Sequence, residues 1–197
     1  IVFHTGHPGP KEIGCHQEFL EWLTDPVLNG AGALTDFGCY GANIATWLMQ
    51  GETPLTVTAV TQQIKPQLYP RVDDEATIVL TYKKAQVIIQ ASWNWPYSRK
   101  DMELYGVTGF VFCKDGTNML LKENEKKEIQ SLTAERLPND RNDPFVYFAN
   151  IIRGEIKMGT YDLSAPANNE IAIKILDAAR QAAKTGQTVI WNQYYKN

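Results

Sequence analysis

Residues 33–43 read ALTDFGCYGAN, and the interpretation of this stretch decides how the chain around it folds. The stretch continues into apolar residues at helical spacing, which predicts a helix of about 14 residues beginning at Asp36 and ending at Gly51. An acid at the start of a helix is a favoured N-cap and complements the positive end of the helix dipole. The apolar stripe predicted to pack in the core consists of Phe37, Tyr40, Ile44, Trp47 and Leu48.

The same residues also suggest chemistry. Asp36 and Tyr40 are four apart and therefore share a helix face. Backbone N–H groups of a first turn favour developing negative charge, and a phenol near a cation can exchange a proton with a substrate hydroxyl. Gly38 and Gly41 each cost about 1 kcal/mol of helix stability relative to alanine, but they would let a ligand approach the backbone. The pattern leaves both interpretations open.

After this helix, the apolar residues no longer repeat at helical spacing and instead alternate with polar ones, as in strands. Alternating β-branched segments predict about six or seven strands joined by short turns, which form a largely antiparallel sheet. These segments are residues 54–64, 75–83, 85–95, 102–107, 110–113, 119–123 and 128–132, with a hairpin turn at Lys83-Lys84. A strand at 1–5 and a short helix at 16–24 precede them, and a last strand is expected at 188–191.

Two late helices complete the pattern. The first, at 144–154, carries Phe145, Phe148, Ile151 and Ile152 on its apolar side. The second, at 168–186, carries Ile171, Ile175, Ala178, Ala179 and Ala182. Helices on both sides of a block of strands predict an α+β fold, with a large, mostly antiparallel sheet and helices packed on one face.

Composition narrows the function classes. The chain has 197 residues, 44% of them apolar, and a net charge of −3, so one globular domain is expected. No basic stripe indicates a nucleic-acid or membrane partner, and no apolar run approaches the length of a bilayer-spanning helix. Three scattered cysteines do not form a disulfide framework and fit a cytoplasmic location. The chain starts without methionine and is interpreted as a fragment or processed product, so an upstream targeting segment could have been lost.

The sequence carries no nucleotide-binding motif of its own. Residues 30–38 contain Gly30 and Gly32, but Thr35 stands where a dinucleotide fingerprint needs its third glycine, and no strand precedes the run. No metal site is predicted either, because the spacing of His4, His7, Cys15 and His16 matches no zinc pattern. Trp93 and Trp95 are expected on the same side of one strand, either in the core or at an interface, or as a wall for a sugar-like ligand.

Residues 32–48, GALTDFGCYGANIATWL, resemble the start of the main helix in the second domain of the Gfo/Idh/MocA oxidoreductases. That family has a glycine-rich lead followed by Asp-x-Gly-x-His or Asp-x-Gly-x-Tyr, and Asp36, Gly38 and Tyr40 occupy those positions. The tyrosine variant is similar to the dihydrodiol dehydrogenase and glucose–fructose oxidoreductase branch. Weaker similarity extends through 19–26, 102–111 and the end of the last helix, so the resemblance covers nearly the whole chain.

The resemblance implies a single substrate-binding and dimerisation domain over residues 1–197, with the fold of the glyceraldehyde-3-phosphate dehydrogenase C-terminal domain. The family's N-terminal Rossmann domain, which binds most of the NAD or NADP, would lie outside this chain. The implied reaction is hydride transfer at the CH–OH group of a sugar, cyclitol or diol. Tyr40 would exchange the hydroxyl proton beside a lysine of the Rossmann domain, and Asp36 would hold that lysine or a substrate hydroxyl.

Further expectations follow from this resemblance. Asn94, Tyr97 and Arg99 come after a strand end and are candidate substrate-binding residues, and the isolated chain is expected to be inactive. A homodimer or higher oligomer would form through the uncovered face of the sheet. The residues considered for that face are Val57, Ile78, Leu80, Val87 and Ile89, or their alternates on the same strands. The alternative functions are a non-catalytic sugar-binding module and a purely structural dimerisation domain.

Overall fold

The computed structural model describes residues 1–196, which form one nine-stranded sheet with helices. The strands are β1 Val2–Gly6, β2 Thr56–Gln62, β3 Glu75–Thr81, β4 Gln86–Ser92, β5 Arg99–Tyr105, β6 Phe110–Cys113, β7 Asn118–Lys122, β8 Gln130–Thr133 and β9 Val189–Ile190. The helices are α1 Gln17–Leu23, α2 Ala33–Asp36, α3 Gly38–Leu48, α4 Asn139–Asn142, α5 Pro144–Ile152, α6 Pro166–Thr185 and α7 Trp191–Tyr194. The predicted α+β class with a mostly antiparallel sheet is confirmed.

The first strand is inserted into the middle of the sheet, whose order is β8-β7-β6-β5-β1-β4-β3-β2-β9. β1 runs parallel to β4 and antiparallel to β5, so Phe3 lies between Ile89 and Met102. All other pairs within the described residues are antiparallel. This insertion brings the loop after β1 next to the end of β4.

Helices α2, α3 and α6 cover the part of the sheet formed by β1 to β4, and β5–β8 extend beyond them. The side chains beneath the helices include Val57, Ile78, Leu80, Val87 and Ile89, each fully buried. These five residues therefore form the core, and the prediction that they provide a dimer face is wrong. Their alternates, among them Thr58, Val79 and Ile88, are half-buried and point to the other face, because side chains alternate along a strand.

The predicted helix that starts at Asp36 is in fact two helices. Asp36 is the last residue of α2, and α3 begins at Gly38. The carboxylate of Asp73 holds the start of α2, since it accepts the N–H groups of Gly32 at 2.9 Å and Leu34 at 2.7 Å. The predicted N-cap role of Asp36 is therefore wrong, and its side chain is free for another partner.

The buried face of α3 consists of small residues. A Cβ atom at Gly41 would lie 2.7 Å from Cγ2 of Ile89, and one at Gly38 would lie 3.2 Å from Cδ1 of Ile78. The helix thus packs too closely on the sheet for larger side chains on that face, so these glycines serve packing rather than ligand approach. The predicted apolar stripe is only partly correct: Phe37 is buried and Ile44 and Leu48 pack against the core. Tyr40 is 43% exposed and Trp47 is exposed as well.

The two late helices differ in burial. In α6, Ile175, Ala178, Ala179 and Ala182 are buried as predicted, and Gly186 ends the helix with a φ of +67°. In α5, Phe145, Phe148 and Ile152 are exposed, so the apolar side expected to pack in the core does not do so. The Asp143 carboxylate nevertheless caps α5 by accepting hydrogen bonds from the N–H groups of Phe145 and Val146.

Candidate functional site

Four ionisable side chains from separate segments gather around the ring of Phe37. His7, from the loop after β1, makes an edge-on contact with the Phe37 ring, with centroids 4.7 Å apart. The ammonium of Lys100, on β5, lies 5.7 Å from the centroid of the same ring and 4.0 Å from that of Tyr40. Asp36 precedes Phe37 in the chain, and Tyr40 follows it by three residues. The charges of His7 and Lys100 also act on the Asp36 carboxylate, so an imidazole and an ammonium lie near the segment that carries the two predicted catalytic residues.

Asp36 is held by a buried tryptophan. The indole Nε1 of Trp93 donates a hydrogen bond to Oδ2 of Asp36 at 2.8 Å, and Trp93 itself is fully buried. Burial raises the pKa of the Asp36 carboxyl above its ordinary value, while the Trp93 hydrogen bond and the charges of His7 and Lys100 act against the rise. The carboxylate is thus fixed in position and poorly solvated.

His7 has a defined tautomer in its neutral form. Its Nδ1 accepts the backbone N–H of Gly9 at 2.9 Å, so the proton of the neutral ring is on Nε2. Burial lowers the pKa of His7, and the nearby Asp36 carboxylate opposes that change. A neutral imidazole with a free Nε2–H can donate a hydrogen bond to an oxygen.

Tyr40 stands at the edge of a cavity of about 330 Å³ between α3, β1, β5 and the end of β6. We call it the Tyr40 cavity; its main lining residues are Phe3, Tyr40, Ile44, Lys100, Met102 and Cys113. Because Tyr40 is 43% exposed, it is accessible to a small molecule entering this cavity.

The predicted substrate-binding residues have other partners. Asn94 donates through Nδ2 to the carbonyl of Asp74 at 2.8 Å and to Oε2 of Glu75 at 3.0 Å, while its Oδ1 lacks a partner among the described residues. Arg99 pairs with Asp101 and lies on the sheet face opposite Lys100, since neighbouring strand residues alternate. Tyr97 is 61% exposed. Their assignment to substrate binding stays a prediction.

Lys65 connects the loop after β1 with the segment that follows β4. The ammonium of Lys65 donates to the carbonyl oxygens of Pro8 at 2.6 Å and Trp93 at 2.7 Å, and it also pairs with Glu12. This connects the loop that carries His7 to the residue that holds Asp36. Sequence reasoning missed Lys65, Lys100 and the role of Trp93, because only the sheet order brings these distant residues together.

The four residues considered for zinc have no common site. His4 lies 2.7 Å from Oδ1 of Asp101, and His7 binds the backbone of Gly9. Within residues 1–196, no group of three or more His, Cys, Asp or Glu side chains is arranged to bind a metal ion. In the same part of the chain, no helix combines the length and apolar character needed to cross a bilayer.

A family model described as the GFO/IDH/MocA C-terminal domain matches residues 1–112. A protein from Thermotoga maritima, provisionally assigned as an oxidoreductase, has the same fold with a TM-score of 0.77 at 17% identity over 96% of this chain. An inositol dehydrogenase homolog from Azotobacter vinelandii, complexed with NAD⁺, gives 0.69 at 17% identity over 96%. An aldose-aldose oxidoreductase from Caulobacter crescentus, complexed with glycerol, gives 0.68 at 20% identity over 96%.

The chain spans about half the length of these structures, covering 54%, 57% and 55% of them respectively. A search of curated protein sequences finds no match. At these identities the structural likeness establishes only the fold. Membership of a family is shown by the family model, which matches more than half of the chain.

Proposed function

Since the chain belongs to the Gfo/Idh/MocA C-terminal domain family, we propose that it is the substrate-binding half of an NAD- or NADP-dependent oxidoreductase. The proposed substrate is a sugar, cyclitol or diol that reacts at a CH–OH group. Support comes from relatives of the same fold that are described with NAD⁺ or glycerol bound. The observation that carries the proposal is the accessible phenol of Tyr40, which lies beside the Lys100 ammonium and follows the half-buried Asp36 by four residues.

The cofactor would be bound mainly by an N-terminal domain that precedes this chain in the intact protein. When bound, the nicotinamide accepts or supplies the hydride. The residues of this chain would bind the substrate and manage its hydroxyl proton. No nucleotide-binding motif is needed within residues 1–197 for this division of roles.

Proton transfer is assigned to Tyr40. In the reductive direction, its hydroxyl gives its proton to the oxygen of the carbonyl as the hydride reaches the carbon. In the oxidative direction, the phenolate takes the hydroxyl proton as the hydride leaves. The ammonium of Lys100, 4.0 Å from the ring centroid, is placed to stabilise negative charge that develops on the ring during proton transfer. His7 would donate through Nε2 to a second substrate oxygen, and Asp36 would hold a cation or hydroxyl at the inner edge of the site.

The test is Tyr40→Phe in the protein that includes the N-terminal domain. We expect kcat to fall by about 10²–10⁴, the usual contribution of a positioned general acid. Cofactor affinity and thermal stability should not change, because the substitution removes only a hydroxyl group from a side chain that is 43% exposed. Tyr105→Phe, at a 59% exposed residue of β5, is the matched control. A kcat within about threefold of the parent would remove the acid–base role.

The face of the sheet opposite the helices supports a second proposal, a homodimer. Thr58, Val79 and Ile88 are half-buried β-branched residues on that face. We expect light scattering to give a dimer or higher oligomer and Val79→Lys to give a monomer. Val107→Lys, in the turn after β5, is the control, because Val107 is fully exposed. A monomeric parent chain would favour an interface supplied by another domain.

A further inference from the structure

The Tyr40 cavity is lined mostly by apolar groups. Phe3, Ile44 and Met102 contribute hydrocarbon or thioether groups to its wall. Thr5 also lines it, but its hydroxyl is hydrogen-bonded to the carbonyl oxygens of Phe37 and Gln90. Tyr40 and Lys100 also line the cavity and supply a hydroxyl and an ammonium group. A ligand inside this cavity would therefore meet few polar groups except those of Tyr40 and Lys100.

The other polar residues around the cavity have partners elsewhere. The side chain of Asp101 interacts with His4 and Arg99 on the opposite face of the sheet. The carboxylate of Asp115 accepts the backbone N–H groups of Thr117 and Asn118 within its own turn. Several hydroxyl groups of a sugar ring placed here would lose water without gaining comparable hydrogen bonds, which is unfavourable.

The position of the cavity follows from the fold. Helices α2, α3 and α6 cover the strands β1 to β4, whereas β5–β8 extend beyond them. The cavity lies at that boundary, where Met102 of β5 is next to Phe3 of β1. Its volume of about 330 Å³ lies at the lower end of the range found for small-molecule sites.

We propose that the Tyr40 cavity binds an apolar group of the substrate. The substrate is then an alcohol or diol that carries a hydrocarbon ring or branched alkyl group next to its reacting carbon, rather than a sugar hydroxylated at every position. The apolar group enters between Ile44 and Met102, and the reacting hydroxyl stays at the rim beside Tyr40. This inference rests on the proposed function for the role of Tyr40, but the binding of an apolar group can be tested without turnover.

The test uses the 197-residue chain with ¹³C-labelled methionine methyl groups and two probes, 1-phenyl-1,2-ethanediol and glycerol. Met102 lines the cavity, whereas Met49 and Met158 do not, so these two serve as internal controls. We expect the phenyl diol to shift the Met102 signal saturably and to bind at least tenfold more tightly than glycerol. Each buried methylene strengthens binding about fourfold, and a phenyl ring is equivalent to several.

Ile44→Lys places a charge in the cavity wall and should weaken phenyl diol binding at least tenfold. Ile173→Lys changes an isoleucine on α6 that is 66% exposed, and it should leave binding unchanged. If Ile44→Lys fails to fold, Cys113→Trp fills the cavity from β6 and should give the same loss. Equal affinity for the two probes, or an unmoved Met102 signal, would overturn the inference.

The outcome separates this inference from the proposed function. Tyr40→Phe should lower kcat by about 10²–10⁴ in the protein with its N-terminal domain and still bind the phenyl diol. If Tyr40→Phe leaves kcat unchanged while the phenyl diol still binds, the acid–base role is removed and the apolar subsite remains. Failure of probe binding alone would remove the subsite and leave Tyr40 as the acid.

Discussion

The indole of Trp93 and the carboxylate of Asp36 are joined by a hydrogen bond of 2.8 Å, although 57 residues separate them in the chain. Trp93 follows β4, and Asp36 ends α2, so this contact fixes the helix junction to the sheet. The side chain of Asp36 is therefore bound to the sheet and does not cap α3, whose N-cap is Phe37.

Trp93→Phe should destabilise the chain by about 1–3 kcal/mol at pH 7, because the half-buried Asp36 carboxylate loses its donor. The pKa of Asp36 is already raised by burial and should rise further. The loss of stability is complete at pH values above the Asp36 pKa of both the parent and the variant. As the pH falls through these pKa values, Asp36 becomes protonated, and the part of the loss that comes from the unpaired carboxylate disappears. Urea unfolding from pH 7 to pH 4 measures this, with Trp22→Phe, an exposed site, as control. A deficit that does not depend on pH would indicate lost packing alone.

Gly41→Ala should destabilise the protein even though alanine favours helices by about 1 kcal/mol over glycine. The added methyl group would lie 2.7 Å from Ile89 Cγ2, and overpacking of this kind costs about 1–3 kcal/mol. Gly116→Ala is the control, because its added Cβ would meet no heavy atom within 4 Å. Thermal melts of both variants measure the difference. A Gly41→Ala variant as stable as the parent would show that α3 can move away from the sheet at little cost.

How much the sequence predicts depends on whether the deciding contacts are local. The buried face of α6 and most of the strands followed from periodicity, since Ile175 and Val57 repeat the pattern of their own elements. The junction at Asp36 did not, because it depends on Asp73 and Trp93 in distant segments. Gly41 was misinterpreted for the same reason: its neighbour Ile89 becomes known only with the sheet.

Lys100→Met should lower kcat about tenfold in the protein with its N-terminal domain, because it removes the positive charge beside the ring on which negative charge develops during proton transfer. KM for the substrate should change less than kcat if Lys100 acts through Tyr40. Lys100→Arg should restore part of the rate, since a guanidinium also stacks on aromatic rings. Lys83→Met, in the β3–β4 turn, is the control for loss of a lysine. Equal losses in Lys100→Met and Lys83→Met would remove the special role of this cation.

Lys65→Met should release the loop after β1 from the end of β4. The ammonium of Lys65 binds Pro8, Trp93 and Glu12, and hydrogen bonds that involve a charge are worth about 1.5–3 kcal/mol each. We expect a loss of about 2–4 kcal/mol in urea unfolding at pH 7 and faster proteolysis within residues 7–15.

The deficit of Lys65→Met should also depend on pH through Glu12. Burial tends to raise the pKa of that carboxyl, but hydrogen bonds from Lys65 and Tyr69 outweigh it and hold the pKa below its ordinary value. The stabilisation that this pair contributes is therefore complete above the ordinary glutamate pKa and is lost as the pH falls through the lower pKa of the folded state. Measured in a Glu12→Gln background, the deficit of Lys65→Met should be smaller and should lose this pH dependence, because the titrating carboxyl is absent from both proteins compared. If Lys65→Met loses as much stability at pH 3 as at pH 7, Glu12 contributes nothing to holding the loop, and the two backbone carbonyls alone account for the role of Lys65.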